Sequence, residues 1–288
     1  MLDLLGVAFD VLIAVTVLVT AVTIGLESNT AAIRRALRRR RTLAWVVGAN
    51  VGIVPLAAYA IVTALPMADG PATGVLVCAI CAGGPLGLKA AHLSRGDLAW
   101  AVSLIVILTL VNVGALALWS ALLLPRTVAP RPAELLGAMV VLVLLPMVIG
   151  AVLRWRTRWT VDAVLPRLEI CSNVTLVLAV GVALILYFDE LWSTVASWAP
   201  AATVLILGVA AGTAGVLGSS QLGEIRRAST LITMNRATGI ALLVVSRAYA
   251  DQPGVITAIV TFGLLQTMAV IAVAIFWRQR IARPSPTG

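Results

Sequence analysis

Two cations stand where cations are costly. Lys89, the sole lysine, follows the run Gly83-Gly84-Pro85-Leu86-Gly87, and Arg236 follows Thr233-Met234-Asn235 in the middle of an apolar stretch. Ionisable groups at membrane depth face a cavity or a partner. No acid falls at the centre of either stretch, so the expected partner is an anionic substrate or a carboxylate from another helix. Asp10, Glu169 and backbone carbonyls are the candidates for such a protein partner. If both runs open onto one cavity, that cavity is electropositive, and the N-termini of interrupted helices add to it. Lys89 also lies near enough to the end of its stretch to snorkel to the interface. A desolvated lysine can lose its proton, whereas an arginine cannot. His92, the sole histidine, is three residues from Lys89 and hence on the same helical face. It is either a proton relay to Lys89 or a tolerated interfacial polar residue.

Other polar positions are weaker signals. Asn50 lies five residues before Pro55 and is placed to line the same cavity. Thr233, Asn235 and Thr238 flank Arg236. Asn112, Asn173, Gln266 and Thr267 read as hydrogen-bonding glue between helices. Cys78 and Cys81 form a CxxC without a second Cys/His pair at metal-ligand spacing; with Cys171 they read as small core residues. Enzymatic chemistry needs a nucleophile and base or a metal cluster, and neither pattern occurs. Gly84-Pro-Leu-Gly-Leu-Lys89 is not a phosphate-binding loop, so an ATP-driven pump is disfavoured. No cofactor and no metal site is expected.

The elements that must position these residues are membrane helices. Of 288 residues, 61% are hydrophobic and 11% charged, and the mean hydropathy is +1.05. A soluble domain carries about 25% charged residues, so this chain lacks the polar surface to cover a globule. One membrane domain over 1–288 is expected, with a loose tail at 283–288. About 20 apolar residues cross a bilayer. Nine such spans are expected: Leu4–Leu26, Leu43–Leu65, Ala72–His92, Leu98–Leu124, Leu135–Leu153, Leu168–Phe188, Ala201–Leu217, Arg227–Val245 and Val255–Trp277. The first has no basic run before it and reads as a retained span. Connectors are expected at Pro66–Gly70, Pro125–Pro132, Asp189–Ser197 and Asp251–Gly254.

The net charge of +9 does not point to nucleic acid, because the arginines fall between spans and set topology. Sixteen of the 21 basic residues fall on the side of the first connector, where Ala31–Arg41 is a basic, helix-prone anchor for anionic lipid. That side is expected to be cytoplasmic, with the N-terminus outside and the C-terminus inside a bacterial inner membrane. The excess of arginine over lysine, together with the alanine content, suggests a GC-rich bacterial genome.

Spans three and eight are not ordinary. Gly83, Gly84, Pro85 and Gly87 cannot continue a plain helix, since proline removes a backbone donor and glycine is entropically costly there. Thr230, Thr233, Asn235, Arg236, Thr238 and Gly239 make the middle of span eight polar. Lipid tolerates a broken helix only where the backbone is buried in protein or lines a cavity. Interrupted helices at corresponding places in two halves point to the binding site of an inverted-repeat secondary transporter.

These motifs resemble the bile acid:sodium symporter family. The resemblance rests on Cys81-Ala-Gly-Gly-Pro-Leu-Gly followed by Arg95-Gly-Asp-Leu-Ala-Trp, on Arg227-Ala-Ser-Thr-Leu through Arg236-Ala-Thr-Gly-Ile-Ala, and on Asn50 to Pro55. It implies an all-α polytopic fold with a core domain of two crossed, broken helices and a panel domain. It also implies organic-anion substrates driven by two sodium ions. The positions of the first ion hold Gly87, Leu88, Ala101, Ile105 and Ile232, and those of the second hold Asn50, Ile232, Thr233, Asn235 and Arg236. The family's glutamate is Ile232 here and its glutamine is Arg236. A hard cation needs oxygen ligands, so both sites read as dismantled, with Lys89 and Arg236 standing in for the ions. The expected activity is sodium-independent transport of a small organic anion. The alternatives are an ordinary sodium-coupled symporter with a residual site, or a receptor-like member that does not transport.

Overall fold

The computed structural model describes residues 2–123, 132–156, 158–217, 223–248 and 252–282. The expected tail at 283–288, nearly all of the 125–132 connector and Asp251 lie outside them. The described residues form helices with no strand. These are α1 (Leu2–Glu27), α2 (Thr30–Arg38), α3 (Arg40–Gly48), α4 (Val54–Ala64), α5 (Asp69–Ile80), α6 (Leu86–Leu93), α7 (Leu98–Leu123) and α8 (Pro132–Met139). They continue as α9 (Leu145–Arg156), α10 (Arg158–Leu186), α11 (Phe188–Val195), α12 (Ala199–Leu217), α13 (Gly223–Met234), α14 (Thr238–Ala248) and α15 (Pro253–Ala282). Six helical segments are long and apolar enough to cross a bilayer, or seven if the bent pair α11–α12 is one span. Their outward faces are greasy: Leu4, Val11, Leu118, Ile170, Val177 and Val204 are all exposed. In water such surfaces would drive aggregation. The protein is an all-α, multi-pass membrane protein.

Local chemistry explains the irregular joints. Asn29 caps the basic anchor helix α2, its Oδ1 accepting from the Ala31 and Ala32 amides at 2.9 and 3.3 Å. The expected connector at Asp189–Ser197 is instead largely helical: α11 starts on Asp189 and Glu190 in its first turn and meets α12 at a 62° bend. Acidic residues in a first turn complement the helix dipole, which the hydropathy pattern alone does not register. Two π-helical turns, Ala49–Ile53 and Val140–Leu144, each sit just before a proline, Pro55 and Pro146. Proline lacks an N–H and clashes with the preceding turn, and a wider turn relieves the clash.

The helices group into two packed sets. α1 lies along α9 and α10, while α5 packs on α15 and α13 packs on α12, α6 and α7. Within the second set a motif occurs twice: a long helix, a broken helix, a long helix. The first copy is α3–α4, α5/α6 and α7; the second is α12, α13/α14 and α15.

The two breaks meet. Cys81–Pro85 and Asn235–Ala237 pair antiparallel, with Ala82 opposite Arg236. The Ala237 amide donates to the Cys81 carbonyl at 2.9 Å and the Gly84 amide to the Asn235 carbonyl at 3.2 Å. Gly83 holds φ +82°, a region that disfavours any side chain. A Cβ on Gly84 would sit 2.6 Å from Asn235 Nδ2 and 2.8 Å from the Arg236 carbonyl oxygen, so only glycine permits the approach. Two side-chain amides take up further backbone groups of the breaks. Asn112 Oδ1 accepts from the Ala82 amide at 3.3 Å. Gln266 Oε1 accepts from the Arg236 amide at 2.6 Å, and its Nε2 donates to the Arg236 carbonyl at 3.0 Å and to Asn235 Oδ1 at 2.9 Å. Each amide lies 30 residues after the break it serves, on the third helix of its own repeat.

Replacing Gln266 by leucine leaves the Arg236 amide and Asn235 Oδ1 without partners, while the Arg236 carbonyl keeps the Thr238 amide. At about 1–3 kcal/mol each, the loss should reach about 2 kcal/mol or more and appear as a clear drop in the unfolding midpoint in detergent. An unchanged midpoint would mean that Gln266 does not hold the break. Gly84→Ala should prevent the crossing from forming and give little folded protein.

Candidate ion and substrate site

Arg236 is the largest fully buried side chain among the described residues, 1% exposed. Its position follows from Pro55 on a distant helix. In a helix the Asn50 carbonyl would be served by the N–H of Val54 or of residue 55. The Val54 amide reaches back to Ala49 instead, and Pro55 has no N–H. The freed Asn50 oxygen accepts from Arg236 Nη1 at 3.4 Å. The neighbouring Val51 carbonyl accepts from the Trp119 indole at 2.5 Å. Asn50 Nδ2 donates to the Val46 carbonyl at 2.8 Å and to Thr233 Oγ1 at 3.0 Å. The crossing thus brings together Asn50, Thr233, Asn235 and Arg236, with Gly84 between them. Among the described residues no carboxylate pairs with Arg236.

Four of the five positions matched to the first ion are packed together as apolar groups, while Leu88 lines the cavity described below. Gly87, Ala101, Ile105 and Ile232 are buried, and a Cβ on Gly87 would lie 3.1 Å from Ile232 Cα. None of them presents a side-chain oxygen. Lys89 is two residues from Gly87, about 200° around the helix, so it faces elsewhere. Its ammonium is 3.5 Å from Glu169 Oε2 of α10, with the two side chains 44% and 33% exposed. Both protein partners found for the cations, Glu169 and a backbone carbonyl, were among the sequence candidates. Asp10 is exposed on α1.

Lys89 and Glu169 line a cavity of about 740 Å³ between the two helix sets. α6 contributes Leu88, Lys89 and His92, with Pro85 just before it. α7 contributes Leu98 and Val102, and α1 contributes Thr20, Thr23, Ile24, Leu26 and Glu27. α9 gives Arg154, and α10 gives Leu165, Glu169, Ser172 and Asn173. His92 shares the cavity with Lys89, as their spacing requires. The volume lies within the range of small-molecule sites. These residues cluster at the helix ends that meet the arginine-rich connectors. The wall is apolar along one part and carries both signs of charge along another.

Several expectations are corrected here. The two cations do not share a cavity: Arg236 is sealed in the crossing and Lys89 stands in the interface between helix sets. The cavity is not uniformly electropositive, because Glu27 and Glu169 were drawn in from distant helices. Asn173 lines it and is not glue, and Cys171 is exposed, not a core residue. Asn112 and Gln266 are more than glue, since each completes a broken backbone. An amide set equally far after each break was the sequence signal for them. Gly239 lies inside α14 facing Val17, and Thr238 opens that helix with its amide on the Arg236 carbonyl at 2.9 Å.

A search against curated proteins finds no match. The family model described as the Sodium Bile acid symporter family matches residues 14–194, well over half of the chain. The matched region contains the first broken helix, the π turn with Asn50 and most of the cavity wall. The crossed breaks, the paired repeats and this match agree, and the chain belongs to the sodium bile acid symporter family.

Proposed function

We propose that this protein is a secondary transporter, not an enzyme, that carries a small organic anion across a bacterial inner membrane without requiring sodium. Its N-terminus is outside and its C-terminus cytoplasmic, so the cavity opens toward the cytoplasm. One observation carries the sodium-independence: the Arg236 guanidinium donates to the carbonyl oxygen freed by Pro55, the kind of oxygen that would otherwise ligate a cation. A tethered cation in that place holds the crossing permanently. Ile232 supports the same reading, because its Cα and Cγ1 methylene fill the contact with Gly87 where ion-ligating oxygen would be needed.

Lys89 has the other task. It is the cavity's half-exposed ammonium, and Glu169 pairs with it. A substrate anion takes Glu169's place, and the link between α6 and α10 is released as it does so. A core that moves against a panel needs such a link to break. A second reading, sodium symport through a residual site, draws on the buried Asn50 Oδ1 and Thr230 Oγ1, which have no hydrogen-bond partner among the described residues.

Thermal unfolding in NaCl against KCl at equal ionic strength separates the two readings. A ligand at a hundred times its Kd stabilises by about 2.7 kcal/mol. The expected result is no difference between the cations; a saturable sodium-specific rise favours the residual site. The double variant Arg236→Gln with Ile232→Glu should acquire a sodium response, and its failure to do so removes the main support for the tethered cation. Lys89→Glu should abolish uptake of small carboxylates and sulfonates into proteoliposomes. The exchange Lys89→Glu with Glu169→Lys should restore the interface without restoring uptake at the wild-type rate. Full recovery would make Lys89 a purely structural partner.

A further inference from the structure

Arg236 uses only part of its hydrogen-bonding capacity. Nη1 serves the Asn50 carbonyl, while Nε and Nη2 have no hydrogen-bond partner among the described residues. These two nitrogens share one edge of the planar guanidinium, and their N–H groups point the same way. That edge grips a single anion with two charge-assisted hydrogen bonds. Asn235, the next residue, also has a buried Nδ2 without a partner. α14 begins two residues after Arg236, and its N-terminus adds positive potential.

A buried guanidinium left without a counter-charge is costly, and in a membrane protein such groups are paired. We infer that the crossing binds a small monovalent anion of chloride's size on the Nε/Nη2 edge of Arg236. The charge of one guanidinium calls for a single negative charge. The 1% exposure of Arg236 calls for an ion small enough to be enclosed. This site is separate from the Lys89 cavity, and it rests on the reading of Arg236 as the resident cation of the crossing. In this arrangement the arginine and its anion together make the crossing neutral, whatever the substrate does at Lys89.

The test is thermal unfolding of the full-length protein in detergent at constant sodium. Chloride, bromide or formate replaces gluconate, which is too large for an enclosed site. The prediction is a saturable rise of several degrees with chloride and bromide. Arg236→Lys keeps the charge but removes the edge, and it should lose that rise. No rise above gluconate, or a rise that survives in Arg236→Lys, overturns the proposal. A rise with formate alone also overturns it and gives the edge to a carboxylate. If the lysine variant does not fold, equilibrium binding of chloride-36 to the wild type decides: binding stoichiometric with the chain and displaced by bromide supports the site, and no binding overturns it. Because sodium is constant throughout, failure here leaves the sodium-against-potassium result untouched, and the two readings fall separately.

Discussion

A helix broken inside a bilayer exposes amides and carbonyls that lipid cannot satisfy, and each one left alone is costly. This protein breaks two helices and lets each break satisfy the other. The Cys81–Ala237 and Asn235–Gly84 hydrogen bonds join the two breaks directly. Gly84 is there because a side chain would collide with Asn235, and Asn112 and Gln266 are there because two hydrogen bonds do not complete the backbone. The two π turns belong to the same economy of backbone groups, since one of them supplies the carbonyl that receives Arg236.

The division of charge follows from that crossing. A cation inside it must be fixed and fully enclosed, and arginine meets both conditions because it cannot shed its proton. Lys89, by contrast, is half-exposed beside Glu169, where solvent can reach it. Family membership alone would lead one to expect mobile sodium ions in the crossing. This chain instead places an apolar contact between Gly87 and Ile232 and a guanidinium beside Asn50 at that crossing.

Much of the fold was legible in the sequence because lipid imposes a strong pattern. Hydropathy pointed to nine spans, of which six or seven stand among the described residues as helices long and apolar enough to cross a bilayer, and Gly83-Gly84-Pro85 marked the first break. The second break was legible only as a polar patch, since Asn235-Arg236-Ala237 contains no helix breaker and the chain leaves the helix to pair with Cys81. The depth of Arg236 was legible, but its separation from Lys89 was not. That separation depends on helix rotation, and a residue two positions from Gly87 faces the opposite way. Glu27 and Glu169 lie 142 residues apart in the chain, and only the packing of α1 on α10 brings both to one wall. Gln266 looked generic because a lone glutamine in an apolar helix has many uses. Its role follows from the carbonyl and amide that it faces.

Hydrogen–deuterium exchange across residues 78–90 and 230–242 bears most directly on a crossing held by the protein's own side chains. The amides of Gly84, Arg236 and Ala237 should be equally and strongly protected in sodium-containing and sodium-free potassium buffer. Protection that appears only when sodium is added would mean that a bound ion, and not Arg236, holds the two broken helices together.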